Sequence, residues 1–206
     1  MTTVSGQLLH QILEYAGRDN FKAELELCKQ KFFNAVGVPG ESAPTTESEL
    51  ANFIEWFVFD WPLPGGVKLW EKFLKEESAG LDAIALETLK SFASQNYSLF
   101  QLKKTRSAAA TVRELVSGRK LKEAYGLPSA LQIGELFLGR VIEVAGQFFF
   151  TEALFYLPRS LAPYLERGSK LVRKNKLDRG NFLEELKIIS IKAARYPRMK
   201  LEEIYK

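Results

Sequence analysis

The chain has 206 residues, 46% hydrophobic and 26% charged, the balance of a folded globular protein rather than a disordered one. No apolar run approaches the ~20 residues that cross a bilayer. The opening Met-Thr-Thr-Val-Ser-Gly-Gln lacks the basic and apolar regions of a signal peptide, and a single cysteine, Cys28, excludes an internal disulfide, so a cytoplasmic protein is expected. The net charge of +4 conceals a polarity: residues 1–95 hold 8 Lys and Arg against 14 Asp and Glu (net −6), whereas residues 96–206 hold 21 against 11 (net +10).

Leu8, Leu9, Ile12, Leu13 and Ala16 recur at helical spacing before Gly17, and a second helix from about Asp19 carries Phe21, Leu25, Cys28, Phe32 and Phe33 up to a stop at Gly37 to Pro39. The two are expected to pair as an antiparallel hairpin. Residues 40–48 read as a polar linker, after which Thr46 and Glu49 have capping-box spacing for a third helix. That helix carries the densest signal in the chain, five aromatics among residues 53–62, closed by Pro62-Leu63-Pro64-Gly65-Gly66. Leu50, Phe53, Ile54, Phe57 and Val58 share one side while Trp56, Phe59 and Trp61 lie elsewhere, so the helix is apolar nearly all round and belongs at the centre. A helix beginning near Gly66 turns Leu69, Trp70, Phe73 and Leu74 inward, and residues 81–93 repeat the pattern with Leu81, Ile84, Ala85, Leu89 and Phe92.

The texture changes near Asn96. Tyr97 to Leu102, Thr111 to Val116, Arg119 to Tyr125, Glu135 to Val144 and Gln147 to Tyr156 read as strands, with Ser117-Gly118 and Ala145-Gly146 as tight reversals. These predict a small antiparallel sheet or partly closed barrel, too small to be stable alone and therefore packed on the aromatic helices. Pro158 suits the first turn of a helix with Leu161, Tyr164, Leu165 and Leu171 docked on the body. A final helix from Asn181 carries Phe182, Leu183, Leu186, Ile189 and Ala193 and closes at Tyr196-Pro197. The fold expected is α+β: an acidic helical part (1–95), a small antiparallel β part (96–158) and a basic helical tail (159–206).

The string Phe53-Ile54-Glu55-Trp56-Phe57-Val58-Phe59-Asp60-Trp61-Pro62-Leu63, then Ser98-Leu99-Phe100, then Ile133-Gly134-Glu135-Leu136-Phe137-Leu138-Gly139-Arg140-Val141 resembles a bacterial group of uncharacterised proteins, some of which carry a C-terminal SEC-C zinc motif. The resemblance covers roughly residues 50–158. It implies a bacterial, cytoplasmic origin and assigns no activity. The zinc-binding part has no counterpart, since no cysteine follows Cys28 and no histidine follows His10.

Chemistry is thinly represented. Structural zinc takes about four Cys or His ligands, and the chain has two such residues, so neither metal nor cofactor is expected. Glu47, Glu49, Glu55 and Asp60 are close in sequence but point apart on a helix, which reads as solvated or capping carboxylates. Asp60, between Phe59 and Trp61, is a candidate for partial burial, which requires a partner, and is expected to cap the turn at Pro62 to Gly66, with catalysis as the alternative. His10 stands without a nucleophile elbow near Ser5 or Cys28, and the phosphate-cradling motifs GxxxxGK[ST] and GxGxxG are absent. Arg167, Lys170, Arg173, Lys174, Lys176 and Arg179 form the candidate binding surface. The expected function is a non-catalytic interaction or regulatory protein that binds another macromolecule through this basic region or the sheet surface. Nucleic acid held mainly by phosphate contacts is the alternative, and an enzyme of unrecognised type is third.

Overall fold

The computed structural model describes residues 4–37, 45–106 and 109–195. Most of the polar linker, Pro39 and the Tyr196-Pro197 stop lie outside the described residues. Five helices, α1 (Val4–Ala16), α2 (Lys22–Val36), α3 (Glu47–Phe59), α4 (Leu69–Glu77) and α5 (Ala83–Ser91), precede six strands: β1 (Asn96–Thr105), β2 (Ala110–Glu114), β3 (Lys120–Tyr125), β4 (Leu136–Val144), β5 (Gln147–Phe150) and β6 (Phe155–Leu157). Two further helices, α6 (Ala162–Arg173) and α7 (Arg179–Arg195), end the described chain, so the fold is α+β. Among the described residues no helix is long and apolar enough to cross a membrane.

The sheet closes on itself. Its strands follow the order β1-β2-β3-β5-β4, with β4 returning to pair with β1, and β3 and β5 form the one parallel contact between described strands. Alternation along the strands places Phe100, Leu102, Val112, Leu121, Ala124, Phe137, Val141, Phe148 and Phe150 in a shared interior core. Phe100 meets Phe150 edge-on at 4.9 Å. Gly139 is required there, because a Cβ at that position would lie 2.5 Å from Leu154 Cδ2. The residues of opposite parity, Leu99, Leu136, Leu138 and Ile142, leave the barrel and join Phe57, Phe59, Leu69 and Phe92 in a second core. The barrel therefore packs on the aromatic helix as composition demanded, and Phe57 and Trp70 are buried while Trp56 is half-buried.

Several expectations are corrected. The first two helices do not pair as a hairpin: α1 packs on α4 and α5, and α2 on α3 and α7. Ser117-Gly118 is not a two-residue reversal: the connection runs over five residues (115–119), closed by the Gly118 N–H donating to Glu114 O and the Glu114 N–H donating to Arg119 O, each at 2.9 Å. Ala145-Gly146 does turn tightly, with φ of +49° and +80°. Gln147 to Tyr156 is two strands rather than one; both lie along β4, and at the break between them Ala153 N–H donates to Glu55 Oε1 at 3.3 Å. Ile84 and Leu50 face solvent at 66% and 49% exposure, and Tyr164 is 43% exposed with its hydroxyl donating to Glu185 Oε1 at 3.4 Å. The last helix starts at Arg179 rather than Asn181, and Asp178 caps it by accepting the Asn181 N–H at 2.8 Å.

Candidate functional site

The helices cover one side of the barrel, including residues 96–99 of β1, and leave exposed residues along the rest of β1 and along β2 and β3. Cross-strand register aligns Gln101, Arg113 and Lys120 in one row across these strands, and Lys104 stands opposite Thr111. A register shift at Leu102/Lys104 adds Lys103, the β1–β2 connection adds Arg106, and β3 adds Lys122, so six exposed cations lie on these three strands and the connection between the first two. None of the six forms an ion pair with a described residue. Two acids belong to these three strands. Glu123 is exposed, whereas Glu114 is buried and accepts from the hydroxyls of Ser98 at 2.7 Å and Ser117 at 2.6 Å. Beside the cations, Tyr125 and Phe149 are paired in register on β3 and β5. Their partners in alternation, Ala124 and Phe148, point inward, so these rings lie outside, half-buried and stacked at 5.3 Å with planes 21° apart.

The tail residues named from the sequence divide into two groups. Arg173 donates to Leu115 O in the β2–β3 connection, and Arg179 donates to Asn96 Oδ1 at 2.6 Å and to Tyr97 O at 2.9 Å, so both fasten the tail to the barrel. Arg167, Lys170, Lys174 and Lys176 are exposed and form no ion pair with a described residue. Lys170 and Arg173 also complement the C-terminal end of the α6 dipole, which is the plain structural account of their position. Both nevertheless line one cleft with Arg113 of β2. The tail is thus continuous with a sheet face whose cations were not singled out in the sequence. Their one local signal is a cation at every second position in Lys120-Leu121-Lys122.

The acidic residues of α3 depart from expectation. Glu49 and Glu55 are buried rather than solvated. Glu49 accepts a two-pronged pair from Arg195 of α7, Nε lying 3.0 Å from Oε2 and Nη2 against Oε1, so the Thr46-Glu49 box is half formed: Thr46 Oγ1 accepts the Glu49 N–H at 3.2 Å while the Glu49 side chain turns inward. Glu55 and Asp60 converge on Arg140 of β4, which is 2% exposed. Arg140 Nη2 lies 2.5 Å from Asp60 Oδ2, Nε lies 3.4 Å from Glu55 Oε2, and Nη1 donates to Gln95 Oε1. The guanidinium also lies 4.5 Å from the centre of the Phe59 ring and 5.5 Å from that of Tyr97. Asp60 therefore does not cap the Pro62 to Gly66 turn with its side chain; it is partly buried and anchors the barrel.

A cavity of about 180 Å³ adjoins this cluster, lined also by Trp56, Glu184 and Lys187. Burial pushes the Glu55 carboxyl up to about 7, against the downward pull of Arg140, Thr151 and the Ala153 N–H. Burial raises the Cys28 thiol to about 12, away from the thiolate form, and His10 is exposed 3.4 Å from Glu14. Among the described residues no three His, Cys, Asp or Glu side chains gather as a metal ion would require. No family model, curated protein or solved structure matches the chain.

Proposed function

We propose that the protein binds single-stranded nucleic acid along the outer face of β1, β2 and β3. The observation that carries this reading is the juxtaposition of six unpaired exposed cations with an outward-facing aromatic stack on one barrel. Phosphates supply the sequence-independent attraction that such cations recognise, and bases supply rings that stack on tyrosine and phenylalanine. The strand order and closure are those of five-stranded Greek-key barrels of the OB type, whose second and third strands form an oligonucleotide-binding face. That analogy is topological and adds support without fixing function. An acidic protein surface would satisfy the cations equally, but it gives no role to the Tyr125–Phe149 stack.

The test is fluorescence anisotropy with labelled single-stranded oligonucleotides across a salt series. If all six cations meet phosphates, log Kd plotted against log salt should have a slope magnitude of about 4, and Lys120→Gln with Lys122→Gln should lower it by about 1.4. Absence of binding at low salt, or binding whose slope those variants leave unchanged, would overturn the reading in favour of a protein partner.

A further inference from the structure

We propose that the cleft between β2 and α6 is a subsite for one phosphate group, in which Arg113, Lys170 and Arg173 supply the charge and the Ser169 hydroxyl donates a hydrogen bond. The inference rests on the nucleic-acid reading for its natural ligand, one phosphate of the bound strand, and on the geometry of the cleft for its existence. The lining is Arg113, Leu115, Glu166, Ser169, Lys170 and Arg173. Three cations from two elements thus line the cleft with one carboxylate, a net charge of +2 to which α6 (Lys170 and Arg173 against Glu166) and β2 (Arg113) contribute +1 each. Arg173 is already fixed, since one of its Nη groups donates to Leu115 O and its side chain lies against Gly118. Its remaining N–H groups are therefore held in place before any ligand arrives, which reduces the entropy lost on binding.

Ser169 is the second and independent observation. It is 1% exposed, and its hydroxyl has no hydrogen-bond partner. Buried helical hydroxyls elsewhere in the chain satisfy themselves on the carbonyl four residues back: Ser190 Oγ donates to Leu186 O at 2.7 Å, and Thr88 Oγ1 to Ile84 O at 2.8 Å. Ser169 does not. It is held in position by its neighbour, because Gly168 presses α6 onto Phe182 so closely that a Cβ there would lie 2.5 Å from Phe182 Cε2. An unsatisfied buried hydroxyl beside three cations lacks only an acceptor, and a phosphate oxygen is one. The cleft measures about 40 Å³, roughly three water-sized volumes, a size nearer to a phosphate group than to a nucleobase.

The experiment uses the full chain and two probes, inorganic phosphate followed by amide chemical shifts and a labelled single-stranded oligonucleotide followed by anisotropy. Inorganic phosphate should shift the Gly168 and Ser169 amides. Ser169→Ala should weaken oligonucleotide binding about fivefold, the worth of one hydrogen bond. The same change should leave the melting temperature level or raise it, because it removes a hydroxyl without a partner. Arg113→Gln and Lys170→Gln should be non-additive if they share one phosphate. A lowered melting temperature for Ser169→Ala would assign the hydroxyl a structural role and overturn the subsite, as would additive charge effects together with unmoved Ser169 and Gly168 amides. Oligonucleotide binding that Ser169→Ala and Lys170→Gln leave untouched would refute the subsite alone and leave the nucleic-acid reading standing. Phosphate shifts lost in Ser169→Ala, with no oligonucleotide binding in any variant, would keep the subsite and sink the nucleic-acid reading.

Discussion

Replacing Glu55 by Gln should change the pH dependence of stability more than stability itself. Glu55 is buried between α3, β4 and the break after β5, and burial lifts its carboxyl from an ordinary 4.5 to about 7. A carboxyl whose pKa is higher in the folded state holds its proton more tightly there. The unfolded chain then releases that proton first, and stability falls as pH rises. The Glu55 contribution is complete below about pH 4.5, declines between there and about 7, and is level above. The interval corresponds to roughly 3 kcal/mol at 1.36 kcal/mol for each tenfold change in proton affinity. Glutamine keeps the shape and the acceptor for Ala153 N–H while remaining neutral throughout. Urea unfolding at pH 5, 6, 7 and 8 should therefore show the variant gaining on the wild type as pH rises, by most of that amount. All other titrating groups are common to the two proteins and cancel. Parallel stability curves would show that Glu55 is already ionised at pH 5, and that Arg140 outweighs burial.

Phe57→Ala should cost about 3 to 5 kcal/mol in a thermal or urea melt, because the ring is 1% exposed at the junction of helices and barrel. Arg195→Met should cost about 3 to 5 kcal/mol by leaving Glu49 buried and alone, and adding Glu49→Leu should recover most of the loss, as unfolding midpoints would show. Tyr125→Ala should weaken oligonucleotide binding by about 1 to 3 kcal/mol without altering the salt slope, the signature of lost stacking rather than lost phosphate contact.

Local signals carried the helices and most strands into view. Thr46 caps α3 as its spacing required, and Ala145-Gly146 reverses β4 into β5 because both residues adopt positive φ. A partly closed barrel was among the expected forms, but the pairing that closes it was not legible. Closure depends on the parallel β3–β5 pairing, which joins Ala124 to Phe148 and Tyr125 to Phe149 across an intervening strand and leaves no mark in either segment alone. The partners of α1 and α2 were misread for a related reason: an apolar stripe states that a face will be buried but not against which neighbour. The break between β5 and β6 had no sequence signal either, since the group that satisfies the freed Ala153 N–H is Glu55, 98 residues earlier.

The charge polarity explains why the site was read only in part. Local density picks out the tail, where Arg167 to Arg179 crowd together, yet two of those six residues are occupied in fastening α6 and α7 to the barrel. The sheet cations are spread over three strands and become a surface only through register. The carboxylates of α3 likewise point apart along their own helix and are matched instead by Arg140 and Arg195, 85 residues beyond Glu55 and 146 beyond Glu49. Those buried pairs neutralise acid from the first 95 residues with arginine from the rest of the chain. None of the six sheet cations takes part in them or in any other ion pair among the described residues, and it is this surplus positive charge that the proposed nucleic-acid binding would use. Under that proposal, internal neutralisation and external binding are performed by different basic residues. Substitutions that separate the two should be available on the same molecule: Arg195 for stability, Lys120 and Lys122 for binding.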